Sequence, residues 1–196
     1  MQTWFITGSS KGLGQAIARH ALERGDRVAA TARDPRGVTE ALGTGDRLLP
    51  LALDVTDPAA VRAAVAAAVE RFGRIDVVVN NAGRALTGAL EEMTDAQIRQ
   101  QFDLNVFGTI DVIRAVLPTL RAQRSGTIVN LSSVGGVVGF PASSMYNATK
   151  FAVEGLTAGL RHDLAPLGIS VVALEPGAFR TDFLASDTVW IAERHG

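Results

Sequence analysis

The sequence predicts an α/β fold: a doubly wound parallel sheet of about six strands, with helices on both faces. Three observations carry this. Six short apolar runs rich in β-branched residues are spread along the whole chain. Stretches with apolar residues at helical spacing separate them, so strand and helix alternate. A glycine-rich turn follows the first run directly, and a helical pattern opens at once behind it. Right-handed crossovers between parallel strands then give the order 3-2-1-4-5-6.

The predicted strands are residues 4–7, 28–31, 48–53, 75–79, 127–131 and 169–174. The first helix carries Leu13, Ile17 and Leu22 on its apolar side. Pro50 falls inside the third strand, and proline is tolerated chiefly at a sheet edge, where this order puts that strand. Val61, Val65, Val69 and Phe72 form one apolar helical stripe, and Leu156, Leu160, Leu164 and Leu167 another. Residues 94–123 also read as helical, with Pro118 expected to kink the run or start a new turn. No repeat, low-complexity tract or linker interrupts the chain, so residues 1–196 are expected to form one dinucleotide-binding and catalytic domain.

Composition narrows the function. The 196 residues carry a formal charge of −1 at pH 7, which offers nothing to hold nucleic acid or an anionic membrane. Cysteine is absent, which removes disulfides and thiolate chemistry and fits a reducing compartment. The N-terminus lacks the pattern of a signal peptide, and no apolar run has the length of a membrane span, so a cytoplasmic location is expected. His20, His162 and His195 are scattered, so surface positions are expected and no metal site.

The first turn reads Thr7-Gly8-Ser9-Ser10-Lys11-Gly12-Leu13-Gly14. Glycines there let backbone approach a pyrophosphate, and the helix N-terminus offers N–H groups and positive dipole to it. This is the Rossmann arrangement for a nicotinamide dinucleotide. The second strand runs into Thr31-Ala32-Arg33-Asp34. A guanidinium suits a 2′-phosphate, and Lys11 can add charge to the same pocket, which favours NADP(H). Asp34 argues for NAD(H), since it can neutralise Arg33 or hold the ribose itself.

Tyr146 is the only tyrosine, and Lys150 is one of only two lysines among the 19 basic residues. Four residues apart on a helix, they face the same way. An ammonium there favours phenolate, which makes a proton donor or acceptor tuned toward neutral pH. Further polar fragments fall near the C-terminal ends of strands, where open α/β sheets bind ligands. They are Asn80-Asn81-Ala82-Gly83, Asn105, Ser132-Ser133, Pro176-Gly177 and Thr181.

In their order and spacing, T-G-x-x-x-G-x-G, N-N-A-G, the serine pair, Y-x-x-x-K and P-G resemble the classical branch of the short-chain dehydrogenase/reductase family, over essentially the whole chain. The resemblance implies an oxidoreductase moving hydride between NADP(H) and a carbonyl or secondary alcohol. It implies Tyr146 as general acid/base, and Lys150 lowering its pKa and holding the nicotinamide ribose. Ser133, rather than the structural Ser132, would hold the substrate oxygen. Asn105 would keep a water near the lysine, or tie two helices together as a buried amide, or both. For the cofactor it implies Thr7, Gly8, Ser10, Lys11, Gly12, Leu13, Gly14 and Arg33 at the first two strands. Asp54 and Val55 would lie beside the adenine, with Asn80, Asn81, Ala82 and Gly83 along the adenosine. Pro176, Gly177 and Thr181 would reach the nicotinamide.

Family members usually continue beyond the position of Gly196, through a seventh strand and part of a substrate lid. Residues 187–196 show no family pattern, so the seventh strand is expected to be missing and the strand at 169–174 to be a sheet edge. The alternative function is therefore a dinucleotide-binding protein with little or no turnover. Val137, Val138, Phe140, Met145, Phe179, Phe183 and Leu184 suggest a hydrophobic substrate, unless they pack in the core. Arg84 and Arg180 would instead recognise an anionic group. Small residues on the tyrosine's helix, Ala148, Ala152, Gly155 and Gly159, suggest a homodimer or homotetramer.

Overall fold

A computed structural model describes residues 1–177 and 189–192. Six strands form the main sheet: β1 (Thr3–Ile6), β2 (Arg27–Ala32), β3 (Leu48–Ala52), β4 (Val77–Asn80), β6 (Gly126–Leu131) and β7 (Ile169–Leu174). Their order is β3-β2-β1-β4-β6-β7 and every pairing is parallel, as the sequence predicts. Pro50 sits on edge strand β3 opposite Ala30. The other edge is β7, whose Ile169 and Val171 point into the core while Val172 and Leu174 alternate to the opposite, exposed face.

Apolar patterning sorts the helices onto two faces. Helices α1 (Gly12–Glu23) and α2 (Pro35–Leu42) bury Ala18, Ala21 and Val38 against Ile6, Val28, Ala30 and Val79. On the other face lie α3 (Pro58–Phe72), α5 (Gly108–Gln123) and α6 (Ser144–Leu164). There Val61, Val65, Val116, Leu120 and Leu164 close over Phe5, Val78 and Ile128. Local signals fix the starts of these helices. Asp57 caps α3, accepting from Ala59 N at 2.8 Å, with Pro58 in the first turn. Thr94 and Gln97 form a reciprocal capping box that starts α4 (Asp95–Phe102).

Two features depart from the sequence expectation. The run at 94–123 is helical throughout, but its register changes well before Pro118, which lies inside α5 without ending it. The change is a π-turn at Asp103–Phe107, where Gly108 N bonds back to Asp103 O. A π-turn inserts a residue without destroying the apolar face, and such turns gather at functional sites. Secondly, Val189–Ile191 forms a strand, β8, paired in parallel with β5 (Ala85–Thr87). This small sheet packs Leu86, Met93 and Ala192 with Ile98, Met145 and Trp190. Among the described residues no helix is long and apolar enough to cross a membrane. His20 and His162 are exposed; His195 lies outside the described residues.

Candidate active site

The glycine-rich turn is braced from beneath by the loop after β4. Thr7 Oγ1 accepts from Asn81 N and Ala82 N, both at 3.0 Å. The Asn81 amide donates to the carbonyls of Thr7 and Gly8, each at 2.9 Å. Gly8 and Gly12 have φ of +68° and +61°, conformations that suit glycine. Gly14 is required for a different reason: a Cβ there would collide with Gly8 O and Asn81 Nδ2. The first turn of α1 thus lies flat against the loop. Its N-terminus carries no side-chain cap and no acidic residue in the first turn. The positive end of the helix dipole at this turn fits a dinucleotide pyrophosphate.

Beside this turn lies a hollow of about 830 Å³, lined by Ser10, Lys11, Arg33, Asp34, Arg36, Gly37 and Glu40. A side chain at Gly37 would meet Ser10 Cβ at 3.2 Å, so α2 and the turn approach closely only because of that glycine. Asp34 caps α2 through Arg36 N at 2.9 Å, and both its oxygens are held by the Arg36 guanidinium, the closest at 2.6 Å. The side-chain and backbone bonds from Arg36 hold its carboxyl below the usual carboxylate range. Asp34 is therefore paired forward along the chain with Arg36, and the exposed Arg33 stands beside it at the mouth of the hollow.

Asp54 is exposed at the end of β3. Its partial burial works against ionisation, but bonds from Thr56 at 2.7 and 2.9 Å and the charges of Arg33 and Arg84 outweigh it, leaving the carboxyl below its ordinary value. Val55 is buried against Gly108, so its side chain belongs to the core. The Asn80 side chain is also spent inside. It donates to Asn130 at 2.8 Å, which in turn donates to Thr157, so Asn80 binds strands to helix and does not line the adenosine side. Arg84 stacks on Trp190, 4.0 Å from the ring centroid, which joins the loop after β4 to β8.

Across the C-terminal ends of β4 and β6, α6 presents Tyr146 and Lys150. Ser133 is hydrogen-bonded to the phenol, and its Oγ also accepts from Gly135 N at 3.0 Å. Burial pushes the phenol above its ordinary value, and the Ser133 bond pulls it only part of the way back. The sequence expectation was the reverse, a phenol depressed by Lys150. Lys150 Nζ lies 5.8 Å from the ring centroid and donates to Leu131 O at 2.6 Å. Burial lowers Lys150 to about 8, against the opposing pull of Glu154.

Asn105, on the π-turn, is 2 % exposed. Its Oδ1 accepts from Arg84 N at 3.1 Å, and its Nδ2 donates to Arg84 O at 3.0 Å and to Thr149 Oγ1 at 3.1 Å. The helix-tying role is thus present. A Cβ at Gly83 would press on Asn105 Oδ1 at 3.1 Å, a local reason for glycine there. Met145 packs with Leu86 and Met93 in the small core, while Val137, Val138 and Phe140 are exposed in the stretch of chain after Ser133. Pro176 is half-buried and Gly177 exposed just after β7. Thr181, Phe179, Arg180, Phe183 and Leu184 lie outside the described residues. Sequence reasoning missed Arg36, Gln101 and Thr149; hydrogen-bonding residues inside helices give no signal of what they touch.

Comparison with known proteins agrees with this geometry. The family model for short chain dehydrogenases matches residues 2–191. Oxidoreductase BOA17 from Botryotinia fuckeliana is 48 % identical over 185 residues, covering 93 % of this chain and 68 % of its own length. A 3-ketodihydrosphingosine reductase from Bacteroides thetaiotaomicron is 41 % identical, covering 93 % of this chain and 65 % of its own length. The crystal structure of a short-chain dehydrogenase from Streptomyces avermitilis superposes with a TM-score of 0.93 at 42 % identity, covering 100 % of this chain and 73 % of that one. The chain spans about two thirds of the length of the curated relatives it matches. With its sheet order, its braced glycine turn and its Ser-Tyr-Lys grouping, this chain belongs to the short-chain dehydrogenase family.

Proposed function

We propose that this chain transfers hydride between NADP(H) and a hydrophobic ketone or secondary alcohol. The observation that carries the proposal is the Ser133–Tyr146 hydrogen bond at the C-terminal end of β6, with Lys150 on the next turn of α6. When bound, the nicotinamide supplies the hydride. Tyr146, whose ordinary value of 10.0 is raised further by burial, is neutral at physiological pH, so it arrives as a proton donor for the carbonyl oxygen. Ser133 donates to the same developing oxyanion. Lys150, protonated below about 8, provides the positive field that steadies the phenolate left behind. Asn81, Thr7 and the glycines hold the pyrophosphate turn.

Arg33 and Lys11 at the hollow support NADP(H) over NAD(H), and the engagement of Asp34 with Arg36 fits that reading. The exposed Val137, Val138 and Phe140, together with a relative named as a 3-ketodihydrosphingosine reductase, support an apolar substrate. The exposed face of α6 at Phe151, Gly155 and Gly159 supports a homodimer or homotetramer. The test is NADPH consumption with a panel of ketones of increasing chain length. Turnover that falls by at least about 100-fold in Tyr146→Phe, with NADPH still bound, is expected. Tight NADPH binding without turnover on any ketone would support the binding-only alternative. Equal affinity for NADH and NADPH would overturn the cofactor preference.

A further inference from the structure

The first turn of α6 carries Tyr146, yet the helix start has no side-chain cap: Ser143 makes no capping bond. An uncapped first turn frays unless something else holds it. Thr149, fully buried, does so. Its hydroxyl donates to Tyr146 O at 2.7 Å and accepts from Asn105 Nδ2 at 3.1 Å. Asn105 is fixed in turn. Its oxygen faces Arg84 N, so the amide cannot rotate without placing a donor against a donor. Gln101 Nε2 also donates to Arg84 O, at 2.7 Å, so this carbonyl is clamped by two amides. The result is one buried chain of bonds from the loop after β4, through the π-turn, to the backbone of the tyrosine.

We propose that Thr149 is a positioning residue for the reaction. By bridging Asn105 and the Tyr146 carbonyl it holds the turn of α6 that sets the phenol against Ser133. Thr149→Val keeps the shape and removes the hydroxyl. It leaves a buried amide N–H unpaired and removes the side-chain donor to the Tyr146 carbonyl. Thr149→Ser keeps both bonds. This inference rests on Tyr146 being the acid/base.

The test uses turnover together with a readout that needs none. Tyr146 is the only tyrosine, so phenolate absorbance against pH reports its ionisation alone. Thr149→Val is expected to lower kcat by about tenfold, the scale of one lost buried hydrogen bond, with KM and NADPH affinity unchanged. Its tyrosine titration should shift from that of the native protein, and Thr149→Ser should restore both. Combined with Asn105→Ala, Thr149→Val should add little further loss, since the two act through one link. A folded Thr149→Val protein with native kcat and native titration would overturn the proposal, as would full additivity with Asn105→Ala. Thr149→Ala, which cannot overpack, serves the same comparison should the valine variant not fold. Retained turnover in Tyr146→Phe would instead overturn the acid/base assignment. Loss in Tyr146→Phe with a neutral Thr149→Val would sink the Thr149 inference alone.

Discussion

Replacing Lys150 by methionine is expected to make the protein more stable at neutral pH while ending its chemistry. Lys150 is 7 % exposed and its pKa falls from 10.5 to about 8 on burial. That depression corresponds to about 3 kcal/mol of unfavourable desolvation, carried in full while the folded group is protonated. Methionine removes this cost but also the bond to Leu131 O, worth about 1–2 kcal/mol with a buried carbonyl left unpaired. The net gain near neutral pH is about 1–2 kcal/mol. The sign changes with pH. A lowered pKa gives stability that is present above the unfolded value and lost as pH falls through the folded one. Wild type therefore gains about 1.4 kcal/mol per pH unit as pH rises from about 8 toward 10, relative to the methionine variant. Urea midpoints for both proteins across this range should cross, methionine being the more stable near neutrality and lysine near the top of the range. Groups common to both cancel in the difference. Parallel pH profiles would refute the reasoning, because they would mean Lys150 is not desolvated as its surroundings require.

Gly14→Ala should abolish dinucleotide binding, since its Cβ meets Gly8 O and Asn81 Nδ2; quenching of NADPH fluorescence titrations checks this, and native affinity would contradict the braced turn. Arg36→Ala should release Asp34 beside Arg33 and weaken NADPH by about two- to fivefold without weakening NADH, a small effect because the pair is exposed; parallel binding titrations decide it. Asp26 accepts from Gln2 N at 2.8 Å and from Trp4 Nε1 at 3.1 Å, and these bonds, the backbone one foremost, hold its carboxyl below the ordinary value. Its contribution is present above the unfolded value of 3.8 and lost as pH falls through the lower folded one, so Asp26→Asn should flatten the acid limb of stability followed by tryptophan fluorescence.

The main sheet was legible because each strand is a short apolar run and each crossover helix has an apolar stripe of its own. Val61, Val65 and Phe72 read as core and are core. The β5–β8 sheet was not legible. Ala85–Thr87 is too short to show a period, and its partner Val189–Ile191 lies about a hundred residues away. The π-turn at Asp103–Phe107 is a change of hydrogen-bond register, which leaves the residue pattern nearly intact. At the site, the glycine turn and the Tyr146–Lys150 spacing were visible as motifs. What the motifs could not give was who bonds to whom. Asp34 turns to Arg36, Asn80 turns inward to Asn130, and Met145 joins the small core. Nor could spacing give the direction of the Tyr146 shift, because four residues on a helix fix a direction but not the depth of burial that dominates it.

The most direct test of the proton-donor assignment is the ultraviolet titration of Tyr146 itself, in the free protein and with NADP⁺ bound. The account predicts a free-protein phenol that ionises above the ordinary value of 10.0 and one that ionises at least about one pH unit lower once the cationic nicotinamide is present. A tyrosine that titrates at the ordinary value in the free protein, or at the same pH in both states, would contradict it.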